Sequence, residues 1–530
     1  MDKRLLMGNE AIALGALRAG VSVVTGYPGT PSSEILDTIA KNNDGSVYVE
    51  WSVNEKAALE VAAGAAYAGA RVLVTMKQVG LNASSDPLMC LNYIGILGGM
   101  VVVVADDPGP ISSQTEQDTR HFAKYAKLAL FDPSTPEEAY AMISDAFDYS
   151  EKYGEPVLFR PTTRVSHSCA SIEIQEDLPK KQPKGFEKND KWIIFPMLSY
   201  ANHIKIQENL LKMQDDFSDY RYNILTGSGK KGIAAGGVSY SYALETLADF
   251  DIEHKLLKVS TIPFPEKLAL EFLAGLDEVL VIEELDSVIE SELVRLCGLH
   301  HLKVSILGQR TGNIQNAGEF SPDSVKNAIN AFFGRSTPEL HTWSLPVLPP
   351  RPPSLCIGCP HRASFSAVKN ATQGISAVYT GDIGCYTLGN TLGMVDTCLC
   401  MGAGITIAQG LHRIEPNTVH FAFIGDSTFF HSGITGIVNA VYNQADIIVV
   451  ILDNSTTAMT GGQPHPGTGV TMMGNVSEKI DIGNVVSALN VSALYRADPF
   501  NAISARQAVT DAIAQKGVRV ILFESPCIMN

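Results

Sequence analysis

The sequence has no apolar run long enough to span a bilayer, so no membrane-crossing helix is expected. Its first residues, Met1-Asp-Lys-Arg, lead straight into an amphipathic segment and carry no signal peptide. Positive charge is in deficit: 40 Lys and Arg stand against 56 Asp and Glu, a net charge of −16. So acidic a chain argues against nucleic acid or an anionic membrane as a general partner. No internal repeat is visible. Cysteine is too irregular for a disulfide framework, with nine thiols, an odd count, in a chain expected to be cytoplasmic. Apolar residues make up 45% of the 530, enough for several buried cores, and the length suggests about three or four domains.

Residues 1–165 alternate helical spacing with short apolar runs (Val21–Thr25, Val72–Met76, Met100–Ala105, Pro156–Arg160), the pattern of an α/β domain with a parallel sheet. After the first run, Gly26-Tyr27-Pro28-Gly29-Thr30-Pro31 makes a tight turn. Ser32 and Ser33 are placed to cap a helix from Glu34, or to meet a substrate carboxylate. Glu50, Glu55 and Glu60 crowd the start of an Ala/Gly-rich helix, where favourable helix-dipole placement alone explains them. Residues 166–192 are polar and read as a linker. Residues 193–335 form another α/β region, in which Gly236-Gly237 is plain structure and Glu283 and Glu284 are solvated or capping. The Pro-rich residues 336–353 are a stiff linker, and 354–530 form the last domain.

In that last domain Val419, Phe421, Phe423 and Ile424 belong to a buried strand ended by Gly425-Asp426-Ser427. Helical spacing follows at Ile434, Ile437, Val438 and Val441, and a second strand ends in Asp453-Asn454. A parallel strand–helix–strand unit brings both strand ends to one sheet edge, where ligands bind. An acid and an amide from those ends can hold one Mg²⁺, with phosphate and water completing its shell. A strand–turn–helix with a capping Asp fits this stretch equally well. Cys356-Ile-Gly-Cys359-Pro has metal-ligand spacing, and Gly384-Cys385 and Ser525-Pro-Cys527 add further thiols. Such thiolates suit a [4Fe–4S] cluster or zinc; Cys385 and Cys527 as plain buried thiols are the alternative.

Gly425-Asp426-Ser427 with Asp453-Asn454 resembles the diphosphate-binding signature of thiamine diphosphate (ThDP) enzymes, departing from its common form at two positions. Tyr27-Pro-Gly-Thr-Pro-Ser-Ser with Asn54-Glu55-Lys56 resembles the pyrimidine-binding domain of the 2-oxoacid:ferredoxin oxidoreductases. Cys359-Pro-His-Arg, Gly381-Asp-Ile-Gly-Cys-Tyr-Thr-Leu-Gly, Gly425-Asp-Ser-Thr-Phe-Phe-His-Ser-Gly and the segment from Thr456 to Gly469 resemble one group within it. That group is the large (α) subunits of indolepyruvate:ferredoxin oxidoreductase, and the resemblance covers essentially the whole chain.

The resemblance implies three doubly wound parallel-sheet domains: ThDP folds at 1–165 and 354–530, and a transketolase C-terminal-like domain between them. It implies a cytoplasmic enzyme that oxidatively decarboxylates a 2-oxoacid, such as indolepyruvate, to acyl-CoA and CO₂, with CoA as co-substrate. In the catalytic roles it places Glu55 on the cofactor's aminopyrimidine and Thr30 on the substrate. His431 and His465, both in motif segments, can carry a proton or bind the substrate carboxylate, and a hydrogen-bonded structural histidine fits each equally well. Gly384, Gly402, Gly425, Asp426, Ser427 and Asn454 would hold the cofactor. Asp426, Asn454 and the Thr456 carbonyl would hold Mg²⁺, and Cys356, Cys359, Cys385 and Cys527 the [4Fe–4S] cluster. Met76–Asn82 is expected as a loop facing the cofactor, and Cys398 and Cys400 as pocket lining. Implied partners are a smaller β-type subunit, in a dimer of heterodimers, and ferredoxin or an iron–sulfur subunit. The C-terminal ferredoxin-like tail common in such subunits is not present before Asn530. A non-oxidative ThDP decarboxylase and a non-catalytic scaffold are the rival functions.

Overall fold

The computed structural model describes residues 2–179, 181–248, 250–336 and 348–529. The chain divides into two compact units, residues 1–50 with 55–342 and residues 51–54 with 343–530. Part of the expected Pro-rich linker, residues 337–347, lies outside the described residues; 348–353 is exposed and irregular.

The first unit holds a seven-stranded sheet in the order Thr261–Ile262, Ala129–Phe131, Val157–Phe159, Met100–Ala105, Val72–Lys77, Val23–Gly26, Tyr48–Trp51. Neighbours from Ala129–Phe131 to Val23–Gly26 run parallel, and Thr261–Ile262 is antiparallel. Met100–Ala105 is buried throughout, which explains its unbroken apolar sequence: a parallel strand covered on both faces has no polar side. A five-stranded sheet follows, in the order Ser305–Leu307, Glu278–Ile282, Lys231–Ala235, Lys255–Lys258, Ile224–Gly227, parallel except at the last pair. The stretch expected as a linker after residue 165 also carries a strand, Cys169–Ile174, paired antiparallel with Asp2–Met7.

Glu283 and Glu284 are not solvated: they are 1% and 5% exposed. The Glu283 carboxylate caps the helix Val288–Leu299, accepting the N–H groups of Ile289 and Glu290 at 2.9 Å each. It also accepts Arg120 Nη1 at 2.7 Å. Glu284 accepts the Phe320 N–H at 2.8 Å. The strand before them ends inside the unit, and buried carboxylates persist there because a guanidinium and helix N–H groups satisfy them.

The second unit is built on five parallel strands in the order Ala377–Thr380, Val419–Gly425, Ile447–Asp453, Val518–Glu524, Ala493–Ala497. Side chains alternate between two cores. Phe421, Phe423, Ile448 and Val450 face one, and Ala422, Ile424, Val449 and Ile451 face the other. Both faces are therefore covered, and the polar groups of this unit gather at the strand ends.

Candidate active site

Four neighbouring strands of the second unit end at one sheet edge, at Thr380, Gly425, Asp453 and Glu524. Gly425 lies under the Tyr386 ring, and a Cβ there would stand 2.3 Å from Tyr386 Cε1. Asp426 follows, 2% exposed, and opens a helical turn, Asp426–Thr428. That turn runs through a π-helical turn, Phe429–Gly433, into the helix Ile434–Tyr442. Asp426 Oδ1 accepts the Ser427 N–H at 2.8 Å, and Oδ2 accepts the Asn454 N–H at 3.2 Å.

The buried Asn454 side chain turns its oxygen toward Asp426 Oδ2 and the Thr456 carbonyl. With the amide turned over, its nitrogen would donate to them at 3.3 and 2.8 Å. In either amide orientation the Asp426 carboxylate, the Asn454 side chain and the Thr456 carbonyl converge, an oxygen-rich set that suits a hard cation, so the residues fit the Mg²⁺ that a ThDP site implies. Burial, and then the neighbouring Asp426 charge, push the Asp453 carboxyl up to about 6. A second acid so close to Asp426 is what a cation would offset.

His465 Nε2 stands 3.1 Å from Asp426 Oδ2, and its Nδ1 accepts the Gly467 N–H at 3.1 Å. A neutral ring must then carry its proton on Nε2 and donate it to Asp426. His465 thus orients the Asp426 carboxylate, and both its ring nitrogens are engaged. Removing such a support typically weakens metal binding about 10- to 100-fold. His465→Ala is expected to do so here, measured as the Mg²⁺ concentration needed for half-maximal ThDP binding, while His465→Gln keeps part of the affinity.

His431 Nδ1 lies 3.1 Å from Ser432 Oγ, and its carbonyl accepts Asn54 Nδ2 at 2.9 Å. Gly402 has φ +80, and a Cβ there would meet Ser432 Oγ at 2.3 Å. Its N–H donates to Asp382 Oδ1 at 2.8 Å. Burial pushes Asp382 up to about 6. Gly384 abuts Tyr386, whose hydroxyl bonds Thr428 Oγ1 at 2.7 Å. Burial drives His361 down to about 4 although the Asp426 charge opposes it, and its ring meets Tyr386 edge-on at 5.9 Å.

The thiols gather at the same edge. Cys359 precedes the helix Pro360–Ala371, and its N–H donates to the Cys356 carbonyl at 3.2 Å. Cys385 follows the strand ending at Thr380, and Cys527 the strand ending at Glu524. The Cys527 N–H donates to the Asn454 carbonyl at 3.0 Å, which ties the C-terminal thiol to the metal-ligand turn. Burial, and then the thiols of Cys359, Cys527 and Cys356, push Cys385 up to about 11. The four sulfurs therefore share one neighbourhood. No three His, Cys, Asp or Glu side chains among the described residues are placed to grip a single ion. Four thiols are a donor set that fits an iron–sulfur cluster or a zinc ion. Cys398 and Cys400, expected as pocket lining, are exposed.

In the first unit, the turn after Val23–Gly26 is pinned by its serines. Ser33 Oγ accepts the Gly29 N–H at 3.0 Å, and Ser32 Oγ donates to the Gly29 carbonyl at 2.9 Å. The helix Ser33–Asn42 consequently starts without the side-chain cap expected of them. The Thr30 carbonyl accepts Ser112 Oγ at 3.1 Å. Glu55 opens the helix Glu55–Tyr67 and is 6% exposed. A Cβ on Gly80 would stand 2.6 Å from Glu55 Oε1. Met76–Asn82 is not a loop: Lys77 ends a strand and Gln78 begins the helix Gln78–Ile94. Gly80 lets the first turn of that helix approach the Glu55 carboxylate, which sequence spacing does not show.

Residues 14–219 match the family described as pyruvate flavodoxin/ferredoxin oxidoreductase, thiamine diphosphate-binding. Residues 382–523 match the C-terminal TPP-binding domain of thiamine pyrophosphate enzymes. The indolepyruvate oxidoreductase subunit IorA of Methanothermobacter thermautotrophicus is 40% identical over 545 residues, covering 100% of this chain and 87% of its own length. The chain belongs to the indolepyruvate oxidoreductase IorA family. The IorA subunit of Pyrococcus horikoshii is 38% identical over 100% of this chain and 86% of its own. A solved 2-oxoglutarate:ferredoxin oxidoreductase from Magnetococcus marinus superposes with a TM-score of 0.49 at 17% identity, over 62% of this chain and 65% of that one. Within this IorA-family chain, Asp382, Tyr386 and Asp453 lie inside the motif segments quoted from sequence but were given no role there.

Proposed function

We propose that this chain is the ThDP-binding subunit of a 2-oxoacid:ferredoxin oxidoreductase. It converts an aryl pyruvate such as indolepyruvate, with CoA, to acyl-CoA and CO₂, and passes two electrons singly to ferredoxin or a similar low-potential carrier. The observation that carries this is the sharing of one sheet edge by the Asp426, Asn454 and Thr456 oxygens and the four sulfurs. Bound ThDP supplies the electron sink for decarboxylation. Asp426, Asn454 and the Thr456 carbonyl hold Mg²⁺ against its diphosphate, and Gly384, Gly402, Gly425 and Ser427 shape the cradle. Glu55 holds a proton at N1′ of its pyrimidine, either within one chain or between two copies. Thr30 and His431 serve the substrate. Cys356, Cys359, Cys385 and Cys527 hold a [4Fe–4S] cluster, a one-electron acceptor matched to an oxidation taken in single steps.

The domains follow as 1–165, with the returning strand Cys169–Ile174, for the pyrimidine end, 193–335 as a transketolase C-terminal-like region and 354–530 for the diphosphate end, with 175–192 and 336–353 as linkers. A smaller β-type subunit joins it in a dimer of heterodimers in the cytoplasm. No helix among the described residues is long and apolar enough to cross a membrane. The holoenzyme, purified without oxygen, is expected to reduce a low-potential dye with aryl pyruvates ahead of pyruvate and 2-oxoglutarate, and only when CoA is present. Release of an aldehyde without CoA or dye reduction would instead identify a non-oxidative decarboxylase.

A further inference from the structure

We propose that the Lys77 ammonium is the subsite for the substrate carboxylate, an inference that rests on the function just proposed. Lys77 ends the strand Val72–Lys77 and is half-buried. Its stem lies along Gly29, where an added Cβ would stand 3.0 Å from Lys77 Cδ. Its Nζ donates to the Ser112 carbonyl at 3.1 Å. Ser112 Oγ in turn donates to the Thr30 carbonyl at 3.1 Å. The ammonium, Ser112 and the Thr30 turn are therefore one constellation at the edge of the sheet where Glu55 also lies.

Lys77 makes no ion pair among the described residues. Two carboxylates face it at longer range, Asp107 and Glu55. Asp107 is already engaged, accepting Thr163 Oγ1 at 2.6 Å and the Ser112 N–H at 2.8 Å. Burial holds the Lys77 ammonium below the ordinary lysine range. A partly desolvated cation without a close counter-charge is costly, and an anionic ligand relieves that cost. The ammonium has three donors, and the Ser112 carbonyl takes one, leaving two for a carboxylate. An aryl pyruvate carries one carboxylate, so its charge matches that of one lysine. The rival duty is a charge that acts through the nearby Glu55 on the cofactor.

The experiment compares wild-type, Lys77→Met and Lys77→Arg holoenzymes by two readouts. One is the KM for phenylpyruvate, and the other is the rate of C2-proton exchange of bound ThDP without substrate. Losing a charge-assisted bond to the carboxylate raises KM in Lys77→Met by about 10- to 100-fold. Lys77→Arg recovers most of that loss, and C2 exchange stays at the wild-type rate in both variants. An unchanged KM in Lys77→Met overturns the assignment. So does C2 exchange that falls in step with turnover, which would place Lys77 behind Glu55. A wild-type holoenzyme that shows no C2 exchange fails at the proposed function itself, and the Lys77 assignment falls with it.

Discussion

Glu55→Gln is expected to lower turnover by about 10²- to 10⁴-fold while leaving ThDP bound, the range set by losing one positioned acid–base group. The carboxylate opens a helix, is nearly buried and sits against Gly80 with no room for a Cβ between them. Glutamine has the same volume, so this packing survives and fold is not the variable. The amide retains a polar contact to the pyrimidine but cannot hold the transferable proton. C2-proton exchange should therefore slow along with turnover, with Mg²⁺-dependent ThDP affinity within about tenfold of wild type because Asp426 and Asn454 are untouched. Unchanged turnover would remove Glu55 from the mechanism.

Cys385→Ser is expected to strip iron from the chain and lower dye reduction by about 100-fold or more, beyond what is typical for lost outer-shell support. Without iron, Cys385 is a half-buried thiol beside Cys356, Cys359 and Cys527, and burial first, then those neighbours, raise its pKa. Metal binding must displace the proton, so the cluster supplies the energy that makes four thiolates tolerable together. Serine leaves a hydroxyl that iron binds poorly. The exposed Cys398 provides the control, and Cys398→Ser should keep both iron and activity. Equal iron and equal dye reduction in Cys385→Ser would remove Cys385 from the electron path.

The strand Val419–Gly425 and the turn at Asp453-Asn454 were legible because a strand buried on both faces leaves an unbroken apolar run, with polar residues only at its end. Cys356 and Cys359 drew notice through their spacing, and the fold sets Cys359 at the start of the helix Pro360–Ala371. What failed depended on partners remote in sequence. Glu283 read as solvated or capping; it caps, but its second partner Arg120, 163 positions away, cannot be assigned to it by pattern. Cys169–Ile174 read as linker because its strand partner is the N-terminal Asp2–Met7. Met76–Asn82 read as a loop because the close approach of Gly80 to Glu55 is a tertiary fact. The bond from His465 to Asp426 crosses 39 positions, so spacing alone did not choose between its proton-carrying and structural readings.

The count of iron and ThDP per chain in the anaerobically purified holoenzyme tests the central claim most directly. Thiamine coenzyme and thiolate-held iron on one chain predict about four iron atoms and about one ThDP together. A colourless, iron-free protein that still binds ThDP would contradict it.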